Sequence, residues 1–188
     1  MIKYTQISLR ARLRIDTHLA HERLDEDVSR FDLTTPYGFL CFLSMQSSAF
    51  QTLSALELSA QTSAMMRDLS ERAARDLRHL GSLTQKPAAT IEPVHPLAID
   101  YAIAGSRLGS QLLKKRWQSA TDPQVRRASA YFSAPSYIKM WTSFCETTAA
   151  MPAAGPFADQ IVRDAGRIFH MYRECARAPL LKKGAIHA

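Results

Sequence analysis

The strongest constraint on the fold is an apolar stripe near the start of the chain. Between Ser8 and Phe31, the residues Leu9, Leu13, Ala20, Leu24, Val28 and Phe31 recur at helical spacing. At about 100° per residue they fall on one side of a single helix. Thr17 sits inside that stripe. His21 lies on its shoulder, one turn before Leu24, while His18 points to solvent. Arg14 precedes His21 by two turns on the same side. Two readings follow. A histidine at the edge of a buried stripe is commonly a hydrogen-bonded core residue; it can also ligate a metal, with Arg14 pairing to an anion.

The rest of the chain repeats the helical period. Ser8 is a natural N-cap for the first helix, which the stripe carries to about Phe31. Thr34-Thr35-Pro36 opens a second helix over 36–58, apolar on most of its surface, with proline at its first position. A third helix, 63–80, is charged on one face and stops at Gly81, a C-cap signal. Pro87, Pro93 and Pro96 mark 82–96 as a surface loop. A fourth helix is expected over 97–119, a short segment over 124–133, and further helices over 135–149 and 156–177, with a loose tail from Ala178. No repeat and no run of strict alternation is present, so the expected fold class is all-α.

Composition bounds the partners. A chain of 188 residues with 46 % hydrophobic content suits a single domain spanning 1–188, its helical core over about 8–177. The net charge of +7 favours acidic partners or anionic ligands. That charge is scattered, with no interleaved aromatic platform and no helix-turn-helix signature, which argues against nucleic acid. Cys41, Cys145 and Cys175 form no Cys-x-x-Cys pair; with no signal peptide evident, they suit a reducing, cytoplasmic setting. No apolar run approaches the roughly 20 residues that cross a bilayer.

The fourth helix carries the second informative feature. Gly105 and Gly109 each cost up to about 1 kcal/mol relative to alanine in a helix interior. Four apart, they share a face with Tyr101, with Ser106 and Ser110 beside them. Such a strip of bare backbone serves close helix packing or a kink, or else it admits something flat and rigid. Taken together, an imidazole from the first helix and a glycine-lined helix opposite would suit haem, with basic side chains at the rim for its propionates.

At these residues the chain resembles the haem oxygenases, in particular the bacterial branch associated with bacteriophytochromes. One matching motif comprises Leu13, Arg14, Thr17, His21, Leu24 and Asp25; the other comprises Gly105, Ser106, Leu108, Gly109 and Leu113. The resemblance spans roughly 8–177. It implies His21, rather than His18, as the axial iron ligand, and Arg14 as the partner of a propionate. Thr17 and Tyr101 fall with the haem-binding set, and Gly105, Ser106 and Gly109 with the distal helix. Weaker echoes are Phe169, following Ala165, and Tyr137, Lys139 and Trp141 on the fifth helix, where Lys139 would stand in for an incomplete basic pair. Two departures stand out. Ser106 takes the place of an aspartate that orders water in many relatives, and Ser110 replaces a glycine, which would narrow the distal side by a hydroxymethyl group.

The resemblance implies oxidative opening of haem to biliverdin, carbon monoxide and ferrous iron, with haem both cofactor and substrate and oxygen as co-substrate. Electrons must come from an external donor, an acidic electron-transfer protein or reductase, since the chain has no flavin or nicotinamide fingerprint. A bacteriophytochrome is the implied recipient of biliverdin. Two alternatives remain at this point: a haem-binding or sensing protein without turnover, and a helical interaction protein without haem.

Overall fold

In the computed structural model, the described residues are 7–81 and 87–186, with side chains described up to Pro179. They form helices, with one isolated bridge between Ser8 and Pro152 and no strand among them. The helices are α1 (Leu9–Asp16), α2 (His18–Ser29), α3 (Pro36–Ser54), α4 (Ala60–His79), α5 (Pro96–Gln118), α6 (Pro123–Arg127), α7 (Ile138–Ala149) and α8 (Pro156–Ile186). The all-α expectation therefore holds for these residues. None of the helices is long and apolar enough to cross a membrane.

The local chemistry that starts and stops these helices is the chemistry written in the chain. Ser8 caps α1 through its hydroxyl and the Ala11 amide, and Thr35 caps α3 through Gly38, with Pro36 at the first helical position. Gly81 follows α4 at φ 81°, the left-handed conformation that glycine adopts without a steric cost. Asp122 caps α6 through the Gln124 and Val125 amides.

Beyond shifts of a few residues at the ends of α3, α4 and α7, three boundaries differ from the sequence expectation. The first helix is two, α1 and α2, interrupted at Thr17. The Thr17 hydroxyl donates back to the Leu13 carbonyl at 2.7 Å, a local bond of the kind that bends helices. The 124–133 segment is helical only to Arg127, because Ala130 and Tyr131 turn their amides to the Asp76 carboxylate of α4 instead of continuing a helix. The last helix does not stop at Ala178. It runs through Pro179 to Ile186, losing the one bond that a proline amide would have made; the Tyr37 hydroxyl holds this end through the Pro179 carbonyl.

Helix α8 is the axis of the fold, with α1, α2, α3 and α5 packed on it. On one side lies the largely apolar α3, whose Phe39 and Phe42 stack with Phe132 from the segment after α6. On the other side lie α2 and α5. Asp27 of α2 is 2 % exposed, and a buried carboxylate must be paired. Its partners are Arg173 at 2.8 Å and Arg177 at 3.5 Å, both on α8, and Arg30 at 3.3 Å. This cluster fixes α2 along α8.

The turn between α2 and α3 leaves no space at Gly38, where a Cβ would fall on the Asp32 backbone, within 2.8 Å of its nitrogen. Gly38→Ala should lower stability by about 2–3 kcal/mol, read as a fall in the urea midpoint at unchanged slope. A loss below about 0.5 kcal/mol would contradict this packing.

Candidate functional site: a slot between two parallel helices

Two ties join α2 to α5, one at each end. At the first, the Tyr101 hydroxyl lies 3.3 Å from the Thr17 hydroxyl. Thr17 already donates its one proton to Leu13, so Tyr101 is the donor. Burial pushes the Tyr101 pKa up, which keeps it a neutral hydroxyl; the nearby Arg14 charge pulls the other way. At the second tie, the Arg116 guanidinium reaches the Ser29 and Phe31 carbonyls at 3.2 and 2.8 Å. The start of α2 thus meets the early part of α5, and the end of α2 meets its late part, so the two helices run in the same direction. From Tyr101 to Arg116 is about 22 Å of helix. Between the ties α2 and α5 make no extensive packing, and α8 lies beneath both.

The residues facing this slot follow from helical phase. On α5, Tyr101 and Arg116 point to α2, and Gly105, Leu108, Gly109 and Leu112 fall with them inside an arc of about 100°. Leu108 and Leu112 are 46 % and 67 % exposed, an apolar strip left uncovered. A Cβ on Gly109 would meet nothing within 4 Å. Gly105 differs. A Cβ there would lie 3.2 Å from Trp141 Cζ3, so the tryptophan ring of α7 occupies the space that glycine leaves. Of the two glycines, Gly109 alone borders open space.

Across from these residues stands His21, one turn into α2, with 51 % of its side chain exposed. Its Nδ1 is 3.0 Å from Asp25 Oδ2. That hydrogen bond raises the His21 pKa above its ordinary value, against the opposing effect of burial. The ring also stands edge-on to Phe169 of α8 at 5.5 Å between centroids. With Nδ1 turned to a carboxylate, Nε2 is the nitrogen left with a lone pair. Phe169 in turn meets Tyr101 at 6.2 Å, and Tyr101 meets Trp141 and Phe144 at 6.1 and 5.7 Å. His18 is exposed and pairs with Glu22 at 3.2 Å.

Of the residues singled out from the sequence, Thr17, His21, Tyr101, Gly105, Gly109 and Phe169 therefore come together around one slot. Arg14 is exposed at the Tyr101 end, close enough for its charge to act on that hydroxyl. Ser106 flanks the slot, but its hydroxyl donates to the Ile103 carbonyl at 2.8 Å. Ser110 does not narrow the slot. It is buried on the opposite side of α5 and bonds to the Arg107 carbonyl at 2.6 Å. Lys139 is exposed and lies about 160° round α7 from Trp141, which takes it away from the slot. Tyr137 precedes α7 rather than belonging to it, at φ 55°, with its hydroxyl bonded to Asp68 of α4. Asp25 was visible only as part of a motif, although its i, i+4 spacing from His21 predicts the contact.

Among the described residues, no three or more His, Cys, Asp or Glu side chains gather into a metal-binding group, so His21 stands as a single imidazole. No protein-family model, curated protein or solved structure matches this chain.

The two glycines should respond oppositely to a methyl group. Gly109→Ala should stabilise the ligand-free protein by up to about 1 kcal/mol, since nothing obstructs the Cβ and a flexible helical residue is removed. Gly105→Ala should gain nothing or lose stability, with a shifted Trp141 fluorescence maximum. Thermal denaturation of both variants checks this; equal stabilisation by the two would contradict the Trp141 contact.

Proposed function

We propose that the protein is a haem oxygenase that opens haem to biliverdin, carbon monoxide and ferrous iron, using oxygen and electrons from an external donor. The observation that carries this reading is the His21–Asp25 pair, set across an apolar slot from the open Gly109. Histidines that ligate metals commonly turn their other ring nitrogen to a carboxylate, which fixes the ring and raises its basicity as a ligand. A slot lined by Leu108, Leu112 and Phe169 suits a flat apolar macrocycle, and Arg14 at one end suits a carboxylate substituent. These side chains fit haem as substrate.

Haem supplies, when bound, the iron at which oxygen is activated. The protein's share is positional. Asp25 and Phe169 hold the His21 ring, and His21 offers Nε2 as the ligand atom. Gly109 leaves room on the α5 side for a diatomic molecule, while the neighbouring leucines exclude bulk water. A net charge of +7 favours docking of an acidic electron donor.

A second reading, haem binding or sensing without turnover, draws on two observations. Trp141 fills the space over Gly105, and the Ser106 hydroxyl spends its one proton on the Ile103 carbonyl, so it can only accept from a water. In this reading the slot binds but does not process its ligand.

Titration with haemin tests the binding step. His21→Ala should abolish the imidazole-ligated spectrum, with recovery on adding imidazole, while His18→Ala should leave it unchanged. An unchanged spectrum in His21→Ala would remove the proposal. Supplying reductant and oxygen then separates the two readings. Wild-type protein should yield biliverdin and carbon monoxide, and Gly109→Leu should bind haemin yet lose at least tenfold in product. Haemin bound through His21 without product would leave the second reading in place.

A further inference from the structure

A basin of about 360 Å³ lies between α4 and the segment joining α6 to α7, and shares no residue with the slot. Its volume is within the range of small-molecule sites. One wall is a single face of α4, with Arg72, Arg75, Asp76 and His79 at i, i+3, i+4 and i+7. The opposite wall carries Arg127, Ser129 and Ser133.

The walls are fixed by side chains that are fully engaged. Asp76, 2 % exposed, accepts the Ala130 and Tyr131 amides at 3.0 and 2.8 Å. Arg72 donates to the Ala130 carbonyl at 3.3 Å while its Nε grips Asp68 at 2.8–2.9 Å. Asp68 also accepts the Tyr137 hydroxyl, so the segment is pinned from Ala130 to the start of α7. That arrangement uses both carboxylates and one guanidinium on structure. The cations left over are Arg75, His79 and Arg127, for none of which the described residues provide a hydrogen bond or ion pair. All three are exposed at the basin.

These cations, of which Arg75 and His79 are near enough to act on the buried Asp76 carboxylate, line a volume rather than a plane together with two serine hydroxyls. A carboxylate is satisfied by one guanidinium fork, whereas a phosphate presents oxygens in several directions. We propose that this basin binds a small phosphorylated ligand, with its phosphate held between Arg75 and Arg127 and its remainder in the rest of the basin. The preformed walls keep the ordering cost of binding low.

Calorimetric titration of the full chain with sodium pyrophosphate, at low ionic strength and without phosphate buffer, tests this. Saturable one-site binding is expected, weakened at least tenfold in Arg75→Gln/Arg127→Gln and unchanged in Lys114→Gln/Lys115→Gln. Should the double variant lose its helical circular dichroism, the single Arg127→Gln carries the same comparison, with a smaller loss expected. No saturable binding by the wild type, or equal weakening in the lysine variant, would overturn the proposal. Tighter binding of a thymidine oligonucleotide through the same arginines would also overturn it, by showing a surface for extended polyanions.

Discussion

Everything distinctive about this molecule depends on α2 and α5 being tied at their ends and separated between them. Both helices seat on α8 and carry apolar residues towards each other, so the simplest way to stabilise them would be direct packing. The Thr17–Tyr101 hydrogen bond and the reach of Arg116 to the end of α2 instead leave Leu108 and Leu112 uncovered. Each square ångström of apolar surface left in water forgoes about 25 cal/mol. A ligand seated against Leu108 and Leu112, as proposed, would recover that free energy.

Helix spacing does the rest of the positioning. His21 stands one turn beyond the Thr17 tie, and Gly109 two turns beyond the Tyr101 tie, while Trp141 of α7 covers Gly105. Four residues beyond His21, Asp25 reaches back to Nδ1, and Gly109 leaves an opening. Phe169 touches both sides of the arrangement through His21 and Tyr101. Behind α5, Arg107 is buried with its guanidinium over the Tyr131 ring at 5.6 Å, a contact that helps hold α5 to the segment after α6.

Much of the fold is legible from local chemistry. Ser8, Thr35, Pro36 and Gly81 announce helix ends because each satisfies or forgoes particular backbone groups at those ends. Of the stripe, Leu9, Leu13 and Phe31 are buried, whereas Ala20, Leu24 and Val28 are half-buried, and the buried residue of α2 is Asp27, off the stripe. The break at Thr17 was hidden because it falls within an otherwise unbroken stripe, with no proline or glycine to mark it. The pinning of residues 130–137 on α4 was hidden for another reason: it depends on Asp68, Arg72 and Asp76 meeting chain more than fifty residues away. In the slot, period alone brought Tyr101, Gly105 and Gly109 onto one face. It could not reveal that Trp141, from a different helix, takes the space over Gly105, nor that Lys139 turns away.

Haem is proposed to lie between α2 and α5. A crystal structure of the protein loaded with haemin tests that placement most directly: the macrocycle is expected in the slot, its iron bonded to His21 Nε2, Asp25 still on Nδ1, and Gly109 facing the opposite side of the ring. Haemin bound outside the slot, or iron held by any residue other than His21, would contradict it.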